Sequence, residues 1–330
     1  PVVSLTTSLP SVSKRETGSN LRLPPVEVVS FSKNLLDKQL SKIMELNAQG
    51  VDWTHTDYNL DKLLILAARK GLVSGVEALI SAGASLSYSE NNGDPALLAA
   101  ARNGQVEVVT LLLQYRPRER SHHGQTALMA AARNGHEEIL GILITAGECV
   151  NDSDMDNNTA LMAAARNGHE AVLEILIRVR ADIGVKDKDG NSALKWADKN
   201  EHTGCLEALI IAGADMERNL HKNTYQIFLN FNRIRASLEF LMNTNEQETS
   251  VEDLSRELSV LASLIEGVNT TNQKIIAKAD GIPLLLSFLD NKSKRVIAMT
   301  VKILGTLAAD NIANQTAIAE AGGIPLLINL

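Results

Sequence analysis

Aromatic residues make up only 3% of this 330-residue chain, which removes the stacked ring platforms that single-stranded nucleic acid binding relies on. Two cysteines, Cys149 and Cys205, are too few for a disulfide framework and suit a reducing, intracellular compartment, cytoplasmic or nuclear. No run of 18 apolar residues occurs, so no membrane span is expected. The first 25 residues lack the basic start and apolar centre of a secretory signal, and residues 1–30 read as a flexible segment. A net charge of −7 and a pI near 5.6 oppose binding to a phosphate backbone. Also missing are a Gly-rich phosphate loop, G-x-S-x-G and H-E-x-x-H. No catalysis, cofactor or small-molecule substrate is therefore expected. Apolar residues at 45% suffice for a core, and the length suggests two domains.

What the chain has is repetition. The segment TALMAAARNGH stands at Thr126–His136 and again at Thr159–His169, an offset of 33 residues. The leucine of that segment recurs at Leu64, Leu97, Leu128, Leu161 and Leu194, with steps of 33, 31, 33 and 33. A turn follows each time: Arg69-Lys70-Gly71, Arg102-Asn103-Gly104, Arg133-Asn134-Gly135 and Arg166-Asn167-Gly168. The fifth copy, Lys199-Asn200-Glu201, has lost its glycine. A second glycine closes the next helix at Gly83, Gly147 and Gly213, where positive φ suits glycine. Alanine runs at 99–101, 130–132 and 163–165 allow close helix approach. Val108, Leu111, Leu112; Ile139, Ile142, Leu143; and Val172, Ile175, Leu176 are spaced to form apolar faces on second helices.

This pattern, strongest over residues 57–218, resembles the ankyrin repeat. The resemblance rests on T-A-L-x-x-A-A, R-N-G-H and a second helix ending in G-A-D, clearest at Leu206–Asp215. It departs from the family at Ala127, Ala160 and Ala193, where the family has Pro, and at Met129, Met162 and Lys195, where it has His. The resemblance implies stacked antiparallel helix pairs with projecting loops. Residues 31–46 form an amphipathic pattern, and Gly50-Val51-Asp52 reads as the tail of a degenerate first repeat. Tyr225-Gln226-Ile227 falls one period after Ser192-Ala193-Leu194, as a degenerate last repeat. The ankyrin region is thus placed at 31–242, with a polar linker at 243–253.

A different period follows. Asn272-Gln273 recurs as Asn314-Gln315, and Gly281-Ile282-Pro283-Leu284-Leu285 as Gly323-Ile324-Pro325-Leu326-Leu327, both 42 residues on. Residues 254–330 resemble the armadillo repeat, a three-helix unit with a long third helix expected at Val296–Leu307. Because fewer than two units are spanned, the chain reads as a piece of a longer protein with more such repeats beyond residue 330; the alternative is that the ankyrin stack caps them. The family's peptide-binding Asn is Thr306 here, with Ser263 or Leu264 one unit earlier, so peptide capture through that Asn is not implied.

The candidate site residues follow from these repeats. Arg69, Arg102, Arg133, Arg166 and Lys199 occupy one position of five successive repeats, and a stack turns equal positions into a ladder. By the resemblance this position borders the concave groove. Guanidinium groups suit bidentate capture of carboxylates, so the ladder fits an acidic partner segment; the competing reading is stabilisation of helix C-termini. The loop tips are Tyr58, Asn59, Asn91, Asn92, His122, His123, Met155, Asp156, Lys188 and Asp189, with Met155 the best apolar contact. The shortened connection at residues 116–120 is expected to alter the twist between two units. Asp152, Asp154 and Asp156 mimic a calcium loop but lack its glycine, at Asn157, and its last carboxylate, at Ala163. His122-His123 lack further ligands, so no metal is expected. His136, His169 and His202 read as structural hydrogen-bonding groups, and Cys149 as a buried thiol.

These observations predict an all-α chain, an ankyrin solenoid continuing into an armadillo-type solenoid, acting as a protein-binding scaffold. Two alternatives stay open: a bacterial effector that uses such repeats to bind a host protein, and the targeting half of a larger enzyme.

Overall fold

Thr126 and Thr159 are extended residues whose hydroxyls accept the amide N–H of Met129 and Met162, at 3.2 and 3.3 Å, and so begin two helices of identical sequence. Each helix runs for eight residues and ends at a left-handed glycine, Gly135 or Gly168, both with φ of 75°. The computed structural model, which describes residues 40, 41, 43, 45, 59–89, 93–115, 120–217, 219–244, 249–266 and 270–329, contains five helix pairs; Asn59 and Ser192 cap two further first helices, while the remaining one follows Pro95 with no side-chain cap. They are α1 (Leu60–Lys70) with α2 (Val73–Ser81), α3 (Ala96–Arg102) with α4 (Val106–Leu113), and α5 (Ala127–Asn134) with α6 (Glu137–Thr145). The last two are α7 (Ala160–Asn167) with α8 (Glu170–Arg178), and α9 (Ala193–Lys199) with α10 (Thr203–Ile211). First helices stack on first helices and second on second, giving two layers. Among the described residues the only bridge of β type joins Ser153 and Thr159.

The alanine runs fill the seam between first helices, and every alanine of the three runs is buried. Leu97, Leu128, Leu161 and Leu194 are buried beside them. In the second helices, Val108, Val109 and Leu112, Ile139, Leu140 and Leu143, and Val172, Leu173 and Leu176 are buried. Leu111, Ile142 and Ile175, expected on that face, are only partly covered. A second helix touches its own first helix on one side and the next second helix on the other, so the covered arc takes in adjacent positions. Each fully buried aliphatic side chain contributes roughly 1.5–3 kcal/mol.

Between layers, the turn residues satisfy the carbonyls at the end of each first helix. The Asn103, Asn134, Asn167 and Asn200 amides donate to the carbonyls of Ala99, Ala130, Ala163 and Trp196 at 2.7–2.8 Å. The next repeat supplies a further donor. His136, His169 and His202 place Nε2 at 3.1, 3.0 and 3.2 Å from the carbonyl oxygens of Arg102, Arg133 and Arg166. A carbonyl only accepts, so Nε2 carries the proton. In the first pair, where histidine is absent, Gln105 Nε2 donates to Arg69 O at 3.2 Å. These bonds require the glycine that precedes them: a Cβ on Gly135 would lie 2.6 Å from His169 Nδ1, and one on Gly168 2.8 Å from His202 Nδ1. In the fifth turn, which lacks glycine, Glu201 itself takes φ of 58°, a conformation costly for a side-chain-bearing residue.

The amphipathic pattern at 31–46 is helical at residues 40, 41, 43 and 45, with Leu40 and Ile43 buried; Leu40 fills the space beside Gly75 that a Cβ would occupy. The rest of that segment and Gly50–Asp52 lie outside the described residues.

After α10 the helices lengthen. Helix α11 (Lys222–Met242) has 21 residues and pairs with α12 (Val251–Ile265) across the segment read as a linker. Asp198, buried where the other repeats carry alanine, accepts the His221 amide at 3.0 Å and the Thr224 hydroxyl at 2.6 Å, and so starts α11. A three-helix unit follows: α13 (Thr270–Lys278), α14 (Gly281–Ser287, extended by a 3-10 turn to Asp290) and α15 (Lys294–Ala308). The order begins again with α16 (Ile312–Glu320) and α17 (Gly323–Ile328). The repeated Asn-Gln joins these units: buried Asn272 and Asn314 donate to Leu264 O at 2.6 Å and Leu307 O at 2.8 Å, the ends of α12 and α15.

Helix α13 packs against α10 and joins the two parts through charge. Lys274 Nζ lies 3.3 Å from Glu207 Oε2 and 3.5 Å from Glu170 Oε1, while Thr271 donates to Glu207 and Lys278 pairs with Glu174. Burial pushes the Lys274 ammonium down, but Glu207 and Glu170 outweigh it and raise its pKa, so the cation is retained throughout the neutral range. Gly204 makes room for this clasp, since a Cβ there would sit 1.9 Å from Glu170 Oε2.

Two stability predictions follow from these contacts. Replacing His169 by Ala removes one inter-repeat bond and leaves Arg133 O without it, and chemical denaturation is expected to show a loss of about 1–2 kcal/mol, with a smaller loss for His169→Gln. Lys274→Met strands the buried Glu207 carboxylate and is expected to cost more, in the same assay, than Lys278→Met, whose pair is half exposed; Lys274→Met with Glu207→Met recovers most of the loss.

Candidate functional site

The C-terminal turn of each first helix carries a cation at the same repeat position, with Lys70 an additional one in α1, and the stacking of first helices brings the equivalent cations into a row. The five differ in how their charge is met. Arg102 forms an ion pair with Asp94, Nε to Oδ2 at 2.6 Å and Nη2 to Oδ1 at 3.0 Å, and reaches Gln125 Oε1 at 3.3 Å. Arg166 lies with Cζ 4.2 Å above the Trp196 ring, and Lys199 Nζ stands 4.7 Å from the same ring and donates to Asn191 Oδ1 at 2.7 Å. Trp196 is fixed in turn by its Nε1 donating to Asp187 Oδ2 at 2.9 Å. Burial is the largest influence on Asp187, pushing its pKa up; the Asn191, Trp196 and Asp189 hydrogen bonds together outweigh it and hold the carboxyl below its ordinary range. Arg69 is exposed.

Arg133 stands in the middle of the row. Its carbonyl meets His169 Nε2, but among the described residues no group hydrogen-bonds or ion-pairs with its guanidinium. It is partly buried, and its pKa is lowered, first by desolvation and then by Arg102 and Arg166; Asp154 and Asp94 oppose the shift more weakly.

The loop tips form a connected edge. Met155 N donates to His123 O at 2.9 Å, and Lys188 N donates to Asp156 O at 3.0 Å, so the third, fourth and fifth tips are bonded in sequence. His122 and His123 are exposed with their rings edge to face, 5.6 Å apart, and Met155 is 60% exposed. Asp156 and Lys188 form an exposed ion pair at 3.4 Å. Asn59, read as a tip residue, instead caps α1 by accepting Lys62 N at 2.9 Å. Tyr58, Asn91, Asn92 and residues 116–119 lie outside the described residues. Arg120 is bound to Asp152 and to Ser153 O, at 3.2 Å, which ties the shortened connection to the next tip.

The Asp-x-Asp-x-Asp segment is occupied with its own backbone: Asp154 Oδ1 accepts the amides of Asp156 at 2.9 Å and Asn158 at 2.8 Å. Among the described residues no group of three or more His, Cys, Asp or Glu side chains is arranged to hold a metal ion. Trp196 is the functional candidate that repeat-by-repeat reading passes over. It replaces Ala130 and Ala163 at the same repeat position, and a large ring in a row of alanines is the signal that marks it.

Cys149 corrects an expectation. It is exposed, because it follows the Gly147 turn into a connecting loop and not into a helix seam. Cys205 is the buried one, and desolvation, with Glu170 and Glu174 nearby, pushes its thiol up to about 12. A thiol-reactive dye at pH 8 is therefore expected to label one cysteine of the native chain rapidly and the second only after unfolding; Cys149→Ser abolishes the rapid phase.

No helix among the described residues is long and apolar enough to cross a membrane. No curated protein matches the sequence. The family model for ankyrin repeats (3 copies) matches residues 64–154 and 146–219. That span begins at Leu64 in α1, ends in the loop before α11 and contains all five ladder cations, so the stacked helix pairs of this chain are ankyrin repeats.

Proposed function

We propose that this chain is a protein-interaction scaffold, acting by binding and not by catalysis, and that its ankyrin repeats hold an acidic segment of a partner. The observation that carries this reading is the row of Arg69, Arg102, Arg133, Arg166 and Lys199, five cations on successive first helices of a chain whose net charge is −7. Ankyrin repeats support a protein–protein role in general; the ladder supplies the charge preference. The bonded loop tips beside it, with Met155 and the two histidines outward, form a firm rim for additional contacts. For residues 254–330 we propose an armadillo-type unit, on the 42-residue period and the helix order α13, α14, α15 and again α16, α17.

Affinity capture from cell lysate tests this reading, with the native chain beside a variant carrying Arg102→Glu, Arg133→Glu and Arg166→Glu. A partner retained by the native chain, released as salt rises from 0.1 M and lost by the variant, is the expected result, because exposed charge pairs are screened beyond about 10 Å at that ionic strength. A partner held equally by both proteins overturns the ladder as the site.

A further inference from the structure

Within the proposed ladder, on which this inference rests, the cations are not equivalent. Exposed Arg69 stands at the end of the row, and the residue eight positions before it, Asp61, accepts Ser85 N. Each of the other four has a neighbour eight residues earlier, at the start of the same repeat's loop-to-helix connection: Asp94 for Arg102, Gln125 for Arg133, Asn158 for Arg166 and Asn191 for Lys199. Asp94 and Asn191 bind their own cation. Asn158 is turned to Asp154, through Nδ2 at 3.1 Å, and Arg166 takes the Trp196 ring instead. Gln125 is turned to Arg102. The Arg133 guanidinium is thus left without a side-chain partner among the described residues, between two other guanidinium groups and partly removed from water.

We infer that Arg133 is the anchoring point of the ladder and takes a carboxylate side chain of the partner, flanked by Arg102 and Arg166. A guanidinium presents donors in a fork that matches a carboxylate. An anion at this position relieves the repulsion along the row, whereas at Arg102 it competes with Asp94, and at Arg166 and Lys199 it meets cations already engaged with Trp196. Asp94 and Asp154 offset the repulsion only in part, since neither bonds to Arg133. The arrangement carries a second consequence: Arg133 costs the free protein stability and is repaid on binding, the opposite of what a helix-capping cation does.

The test uses fluorescein-labelled hexaglutamate as the probe, titrated into the full chain at low salt, with thermal unfolding of the free proteins measured in parallel. Arg133→Gln is expected to weaken the probe at least tenfold and to raise the unfolding midpoint by roughly 1–3 °C. Arg102→Gln and Arg166→Gln are expected to weaken it only two- to threefold and to lower the midpoint. Arg133→Lys, which keeps the charge and loses the fork, is expected to fall between native and Arg133→Gln in affinity. Equal losses for the three Gln variants overturn the anchor while leaving the ladder reading intact. A lower midpoint for Arg133→Gln also overturns the anchor, as it assigns Arg133 a capping role. Failure of the native chain to bind the probe, or indifference to all three substitutions, overturns both readings.

Discussion

The last carbonyl groups of a first helix run out of helical N–H partners, and side chains supplement them. An asparagine at the helix end donates back to the carbonyl four residues earlier, and the histidine or glutamine of the following repeat reaches the carbonyl of the ladder residue from outside. The second bond joins one repeat to the next. It needs a protonated Nε2, a left-handed turn and an absent Cβ, all at once. Short helices of seven to eleven residues would be marginal alone, and this bond, with the alanine seam, makes each dependent on its neighbour. The ladder is a by-product of the same geometry, because the residue whose carbonyl is held is the one whose side chain forms the row.

The same solution reappears in different chemistry after α10. Asp198 replaces an alanine and receives the first amide of α11, and buried asparagines tie α13 and α16 to the ends of α12 and α15. Where the packing changes from helix pairs to a three-helix unit, charge takes over from small side chains. Lys274, set between Glu207 and Glu170, holds α13 to the second-helix layer. The junction combines a buried acid with a half-exposed base, so its strength depends on the pair and neither partner is dispensable alone.

The row of cations sets charge repulsion against the stacking that creates it. Stacking at a period near 33 brings like charges together, and most of them are quieted by an aspartate, an asparagine or an aromatic ring. Arg69 lies exposed at the end of the row, whereas Arg133, partly buried in its middle, sits where Gln125 is turned to the neighbouring arginine. The 31-residue step between Leu97 and Leu128 falls at this place, so the irregular spacing coincides with the irregular pairing.

Periodicity in the sequence determined the five helix pairs and their glycine turns, because spacing of leucine, alanine and glycine is read directly as one face, one seam and one reversal; it did not show that the degenerate last repeat is a single 21-residue helix, or that helix α12 begins at Val251 inside the expected linker. It also placed the five cations at one repeat position and assigned the histidines a structural role. The long third helix, expected at Val296–Leu307, spans Lys294–Ala308. What it could not decide was which side chain meets which across repeats. That Gln125 serves Arg102, that Trp196 lies under Arg166, that Cys149 faces solvent, and that Lys274 finds Glu170 more than one hundred residues away all depend on distances between elements remote in sequence. Side-chain pairing is set by the rotation and offset of stacked layers, and those quantities exist only once the layers are assembled.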